Sequence, residues 1–219
     1  MLKMAGHFRV PLTLILPLDI DASTNTVKRV LLGYKKRGFG QGKWNGFGGK
    51  LEAGETVAQA ALRELQEESG LTGTLEDLTY RGYNDFEFEG ERKVLQVFVY
   101  EIATSACTGT PTESDEMRPQ WFDVADLPFG SMWVDDAIWL PLLLAHRTNA
   151  AGQQRTFVGE YVFRGHETIL AKSVRLLEAT EDGGKEAKAA LERVAAGPAV
   201  NDSWVVPSKS LGYVSPSSS

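Results

Sequence analysis

Cysteine is nearly absent from this sequence, and that limits the chemistry available to the chain. The 219 residues include one cysteine, Cys107, and only three histidines. A single thiol forms neither an internal disulfide nor a thiolate metal site. We therefore expect a protein of a reducing compartment: the cytoplasm, with the nucleus or the mitochondrion as further locations.

Long apolar runs and an excess of basic charge are also missing. No stretch approaches the roughly 20 apolar residues that span a bilayer, because Pro11 and Pro17 interrupt the N-terminal run. The formal net charge is −6, whereas a protein that grips polymeric nucleic acid needs a basic surface. We expect no membrane partner, no polymeric nucleic acid partner and a monomer. Acidity suits a site where carboxylates hold a hard cation.

Hydrophobic periodicity predicts strands and two helices within one domain, residues 1–177. The predicted strands are 10–20, 27–35, 75–83, 84–89, 93–102 and 120–124, followed by a hairpin of 156–164 with 167–176. The predicted helices are 55–69, with Thr56 as N-cap and Gly70 as its end, and 135–147. We expect an α/β fold with a C-terminal extension, 178–219, formed by a short helix and a disordered tail.

Glycine is concentrated between residues 36 and 56, immediately before the first predicted helix. Such a loop bends tightly or approaches a ligand closely. In the helix, Glu64, Glu67 and Glu68 have i+3 and i+4 spacing and share one face. Their mutual repulsion would be relieved by a divalent cation, and oxygen ligands are what Mg²⁺ and Mn²⁺ prefer. The alternative is a solvated acidic face.

The segment from residue 48 to residue 71 resembles the Nudix motif. The matching positions are Gly49, Glu55, Arg63, Glu64, Leu65, Gln66, Glu67, Glu68, Ser69, Gly70 and Leu71. The resemblance implies an α/β/α sandwich with a mixed sheet between helices, which hydrolyses a diphosphate linked to another moiety with the help of divalent cations. It implies a catalytic role for Arg63, orienting Glu55 or Glu64, and a metal-binding and catalytic role for the three glutamates. The Gly48 carbonyl is a further implied ligand.

Four other segments narrow the resemblance to the animal MutT homologues, over roughly residues 12–176. They are LLGYKKRGFGQGKWNGFGGK (31–50), ESDEMRP (113–119), MWVDDAIWLPLLL (132–144) and GHETIL (165–170). This implies hydrolysis of oxidised purine nucleoside triphosphates, such as 8-oxo-dGTP and 2-hydroxy-dATP, and of methylated purines as a further class. The products would be the monophosphate and pyrophosphate. Mg²⁺ is the expected cofactor, with Mn²⁺ as a substitute. The resemblance also implies that Glu116 is either an additional metal ligand or a base.

A purine pocket is expected around two adjacent carboxylates, Asp135 and Asp136. In a closed pocket such a pair shares one proton and offers both a donor and an acceptor. The alternative is that they cap the second helix. Asn45 can read an amide-like base edge, and Trp133 is a stacking platform. On the resemblance, the remaining substrate-binding residues are Thr13, Lys35, Phe39, Gly49, Phe86 and Phe88.

Two other functions are compatible with the motif. One is a Nudix hydrolase of another nucleoside diphosphate derivative, which would not need Asn45 or the two aspartates. The other is a non-catalytic nucleotide-binding module. Retention of Arg63 beside three mutually repelling glutamates speaks against the second.

Overall fold

The computed structural model describes residues 8–148 and 150–178. The strands are β1 (Phe8–Asp21), β2 (Thr26–Lys35), β3 (Trp44–Asn45), β4 (Leu78–Phe88), β5 (Lys93–Ala103), β6 (Met117–Asp123), β7 (Thr156–Arg164) and β8 (Thr168–Leu177). The helices are α1 (Val57–Ser69) and α2 (Asp136–Ala145). No helix among these residues is long and apolar enough to cross a membrane. Of the predicted extension, 178–219, all but the first residue lies outside the described residues.

The strands form one mixed sheet in the order β3-β2-β1-β5-β4-β7-β8, with β6 also paired to β2. β1 runs parallel to β5 and β4 runs parallel to β7, whereas the other pairings are antiparallel. Side chains on a strand alternate between the two faces of a sheet. Both faces are apolar here, so both must be covered.

Two helices cover the two faces, each over its own hydrophobic core. Ile15 of β1 and Leu65 of α1 belong to one core, while Leu16 of β1 and Leu140 of α2 belong to the other. The alternation of Ile15 and Leu16 thus feeds both layers from one strand. The expected α/β/α sandwich with a mixed sheet is confirmed.

A gap between β1 and β2 positions the glycine-rich loop. The two strands pair only near their shared hairpin, where Leu18 to Asp21 face Thr26 to Val30. Further along, residues 44–50 lie between them, with Trp44 paired to β2 and Phe47 bridged to Ile15 of β1. The N–H of Thr13 donates to the carbonyl of Gly49 at 2.9 Å. The loop is therefore part of the sheet rather than an excursion from it.

α1 begins and ends where its local sequence predicts. Thr56 is the N-cap, its hydroxyl accepts from the N–H of Gln59, and the Gln59 side chain accepts from the N–H of Thr56. These reciprocal bonds satisfy backbone donors that the first helical turn leaves unpaired. Gly70 ends the helix with a φ of 75°, a conformation that glycine adopts without strain.

The predicted strands 75–83 and 84–89 are one strand, β4, preceded by a short 3₁₀ turn at Leu75–Asp77. It is continuous because β5 and β7 pair with it on both sides. A bulge at Arg81 shifts its register against β5. β3 was not predicted, since two residues carry no periodic signal. The second helix is shorter than predicted, ending at Ala145.

Candidate active site

Arg63 organises the first group of carboxylates on α1. Its guanidinium donates to both oxygens of Glu55, at 2.8 and 3.1 Å. It also donates to Glu64 at 3.0 Å and to Glu67 at 3.1 Å. Arg63 thus contacts both of the carboxylates proposed as its partner, Glu55 and Glu64. Burial raises the pKa of Glu64, an effect that Arg63 opposes and the charge of Glu68 increases.

Lys35 organises a second group, which joins α1 to the loop before β6. Its ammonium lies 2.8 Å from Glu68 Oε1 and 3.0 Å from Glu116 Oε2. Glu68 is buried, and its other oxygen accepts from the N–H of Gly48 at 2.9 Å. Burial raises the pKa of Glu68 despite these partners, whereas the hydrogen bond from Lys35 lowers the pKa of Glu116.

The predicted metal ligands do not form one cluster in this arrangement. Among residues 8–148 and 150–178, no three acidic, histidine or cysteine side chains converge closely enough to hold a metal ion. The physical reason is that Arg63 holds Glu64 and Glu67, while Lys35 holds Glu68 and Glu116. The donor set still fits a hard divalent cation, because it consists of carboxylates and a positive charge already lies between two of them.

Two glycines bring the loop backbone against the carboxylates. A Cβ at Gly48 would lie 2.0 Å from the carbonyl oxygen of Thr13, which excludes any side chain there. A Cβ at Gly49 would lie 2.5 Å from Glu64 Oε1, so the Glu64 carboxylate rests directly on the Gly49 backbone. The glycine content of the loop therefore serves close approach of backbone and carboxylate.

A cavity of about 190 Å³ adjoins the glycine-rich loop, and all ten residues proposed to bind substrate line it. They are Thr13, Lys35, Phe39, Asn45, Gly49, Phe86, Phe88, Trp133, Asp135 and Asp136. Lys35 belongs both to the cavity wall and to the ion pairs with Glu68 and Glu116. The cavity and the carboxylate helix are therefore parts of one site.

The two aspartates are buried and line this cavity. Asp135 occupies the N-cap position without a side-chain capping bond, and its carboxylate accepts from the indole N–H of Trp139 at 3.1 Å. Asp136 Oδ2 accepts from the backbone N–H of Trp133 at 3.0 Å. Burial raises the pKa of both, and for Asp136 the charge of Asp135 adds to the effect. Both shifts favour the protonated form, which is the direction that a proton-sharing pair needs.

Aromatic rings form the outer part of the cavity. Phe39 stacks on Trp133 with ring centroids 5.0 Å apart, and the ammonium of Lys43 lies 4.9 Å from the centroid of Trp133. His166, from the hairpin between β7 and β8, meets Phe39 and Phe88 edge-on at 5.3 and 5.2 Å. A flat heterocycle would enter between these rings.

Sequence reasoning missed several residues of the cavity. The most informative are His166, Phe163 and Asn84. Asn84 interrupts an apolar face of β4 that continues in Phe86 and Phe88, and that polar break was the available signal. The other missed lining residues are Leu12, Leu14, Gly40, Gly46, Leu95, Val97, Met117 and Trp139.

Residues 22–143 match the model of the NUDIX domain, which is more than half of the chain. The chain belongs to the Nudix hydrolase family. It is 51% identical over 142 residues to the oxidized purine nucleoside triphosphate hydrolase of Danio rerio, covering 65% of this chain and 83% of that protein. It is 47% identical over 148 residues to the Mus musculus protein of the same name, covering 68% and 87%.

The fold of this Nudix chain also matches solved structures. A MutT protein from Bacillus halodurans superposes with a TM-score of 0.58 at 22% identity. The match covers 75% of this chain and 97% of that one. At that identity the likeness concerns the fold alone. Nudix hydrolases act on small nucleotide substrates and generally use divalent metal ions, and the carboxylates on α1 suit such ions.

Proposed function

We propose that this Nudix hydrolase uses Mg²⁺ to cleave oxidised purine nucleoside triphosphates, with 8-oxo-dGTP and 2-hydroxy-dATP as substrates, to the monophosphate and pyrophosphate. The observation that carries the proposal is the single cavity in which Asn45, Trp133, Asp135 and Asp136 lie together. Identity near 50% to two hydrolases named for oxidised purine nucleotides supports the same substrate class. Removing damaged precursors from the nucleotide pool would be the cellular role.

The part of the site that would bind the base recognises it by hydrogen bonds. One ionised and one protonated aspartate present an acceptor and a donor side by side. Moving the proton between Asp135 and Asp136 would let the same pair accept two different purine edges. Trp133 supplies the stacking surface, with Phe39 on its exposed side. Apolar walls exclude water and strengthen these polar contacts.

The part of the site that would bind the phosphates contains both a basic side chain, Lys35, and acidic side chains. Lys35 faces the cavity and can bind a phosphate oxygen once it leaves Glu68. The bound divalent ions would neutralise the polyphosphate charge and favour attack by water. Glu64 and Glu68, held by the loop backbone and Arg63, would supply ligands, and one carboxylate would remove the proton of the attacking water. Mg²⁺ is proposed because these donors are all hard oxygens.

We also propose that the enzyme acts as a monomer on free nucleotides in a reducing compartment. The net charge of −6 and the single cysteine support this. Light scattering at micromolar concentration, with and without nucleotide, tests the assembly state. A stable dimer would overturn that part of the proposal.

Pyrophosphate release with Mg²⁺ is the test of the substrate class. The four nucleotides to compare at low concentration are 8-oxo-dGTP, 2-hydroxy-dATP, dGTP and dATP. We expect a preference of at least roughly tenfold in kcat/KM for the oxidised pair over the ordinary pair. Equal turnover of all four, or of none, would remove the purine assignment and direct the search to other nucleoside diphosphate derivatives.

A further inference from the structure

Asn84 has a buried amide that the protein leaves unpaired. The residue lies in the middle of β4 with 1% of its surface exposed. Within the described part of the chain, neither its Oδ1 nor its Nδ2 has a hydrogen-bond partner. Burying an amide in this way costs stability. Buried polar groups in proteins are nearly always paired, so one that is not calls for a functional explanation.

The neighbouring residue, Asp85, shows that a buried polar side chain of β4 can be well paired. Asp85 faces the opposite side of the sheet, where its two oxygens accept from Arg9 at 2.9 Å and from Gln96 at 2.9 Å. Asn84 shares its face with Phe86 and is the cross-strand partner of Val97. These neighbours of Asn84 in the sheet are apolar and offer its amide no hydrogen-bond partner.

Asn84 lines the same cavity as Asn45, Asp135 and Asp136. Asn84 lies opposite Gly159 in the parallel pair of β4 and β7. A Cβ at Gly159 would lie 2.0 Å from Asn84 Oδ1, so the amide fills the space that a side chain there would take. The glycine thereby fixes a place for the amide on the cavity wall.

We propose that Asn84 is a further base-binding residue, which pairs with the amide-like edge that oxidation creates on a purine. An oxygen added to a purine carbon beside a ring nitrogen gives a C=O next to an N–H. The side-chain amide offers one acceptor and two donors, which is complementary to that edge. An ordinary purine has only a ring nitrogen acceptor and a C–H at the corresponding C8 edge. Asn84 therefore discriminates between the oxidised and the ordinary base, in addition to the aspartate pair.

This inference rests on the proposed function, so its test uses binding as well as turnover. The probes are 8-oxo-dGMP and dGMP, titrated by calorimetry without metal, so that base recognition is measured apart from hydrolysis. Asn84→Val removes the amide and keeps a side chain suited to a central strand. We expect the affinity for 8-oxo-dGMP to fall about tenfold, as for one lost hydrogen bond, with less than a twofold change for dGMP.

Thermal unfolding separates this role from a structural one. Loss of an unpaired buried amide should leave the midpoint temperature of Asn84→Val equal to or above that of the wild type. Asn84→Ala provides a second variant, and Thr79→Val, on the same strand outside the cavity, is the matched control that should change neither readout. A lower midpoint with unchanged preference for 8-oxo-dGMP would overturn the inference, as would a wild type that binds both monophosphates equally.

The two proposals fail in different ways. If the wild type prefers 8-oxo-dGMP in binding but hydrolyses none of the oxidised triphosphates, the proposed function fails and Asn84 is still judged by its variants. If turnover shows the expected preference and Asn84→Val retains it, the function stands and the role of Asn84 is refuted.

Discussion

Phe39 lies over Trp133 with 22° between the ring planes, although 63% of Phe39 is exposed. An exposed large aromatic side chain at a cavity mouth is typical of a ligand-binding surface. A base that binds against Trp133 has Phe39 and His166 as its nearest rings. In the free protein Phe39 therefore covers one face of Trp133, and a bound nucleotide would displace this stack or join it.

Phe39→Ala should weaken nucleotide binding without destabilising the protein. Because the side chain is already exposed, the free energy of unfolding should change by no more than about 0.5 kcal/mol. The loss of one stacking surface should raise KM by roughly fivefold or more, since base–aromatic stacking contributes about 1–3 kcal/mol. Steady-state kinetics and urea unfolding measure the two effects. A destabilised variant with unchanged KM would mean that Phe39 only packs.

Glu68→Gln should abolish turnover and leave the fold intact. The substituted amide would keep the hydrogen bond from Lys35 in part but not the charge that holds a cation, so kcat should fall by at least about 100-fold. Pyrophosphate release across a Mg²⁺ titration is the measurement. Glu113→Gln, which loses only the exposed ion pair with Lys36, is the matched control and should behave like the wild type. Activity above a tenth of wild type would refute the role of Glu68.

Asp135→Asn should raise stability at neutral pH and blunt base preference. The folded-state pKa of Asp135 is raised by burial, so between its usual value and that raised value the folded state binds more protons than the unfolded state. Stability therefore falls as pH rises through that window, by up to about 1.4 kcal/mol per pH unit for one proton. The stability of Asp135→Asn should therefore decrease less steeply than that of the wild type as pH rises.

Urea unfolding of the wild type and Asp135→Asn at several pH values from about 4 to 8 measures this difference. Kinetics on 8-oxo-dGTP and 2-hydroxy-dATP measures the preference, which should narrow because an asparagine cannot exchange a proton with Asp136. Parallel stability curves with unchanged preference would favour a purely structural aspartate.

Gly48→Ala should both destabilise the protein and inactivate it. The added Cβ meets the Thr13 carbonyl oxygen at 2.0 Å, so the loop must shift, at a cost of about 1–3 kcal/mol. The shift also moves the N–H that donates to Glu68. Gly130→Ala is the control, since its Cβ would meet nothing within 4 Å. Thermal unfolding together with kcat measures both effects, and a fully active Gly48→Ala would contradict the placement of the loop.

Local sequence predicted the features that local chemistry determines. The capping box of Thr56 and Gln59 and the end at Gly70 lie within or beside the helix that they limit, so α1 was predicted within two residues of its start. The gap between β1 and β2 was not predictable in this way. It depends on the bridge between Phe47 and Ile15, which are 32 residues apart along the chain. It also depends on β3, a strand of only two residues.

Resemblance predicted what local chemistry could not. No periodicity brings Thr13, Phe86 and Asp135 to one cavity, because they lie on three separate elements. The division of the glutamates between Arg63 and Lys35 also escaped prediction. Lys35 is 33 residues from Glu68 and 81 from Glu116, and only the folded sheet brings the three together. The catalytic and binding roles of these residues stay predictions.

Residues 44–50 lie between β1 and β2, in a fold that places two sets of proposed site residues on different helices. Those two sets can therefore be substituted separately. Asp135 and Asp136, proposed to bind the base, lie at the start of α2, whereas Glu64 and Glu68, proposed to bind metal, lie on α1. The two helices belong to separate hydrophobic cores, so a substitution in the core under one helix does not remove packing contacts in the core under the other. A lineage with this architecture can therefore acquire a new substrate preference while its hydrolytic apparatus stays as it was.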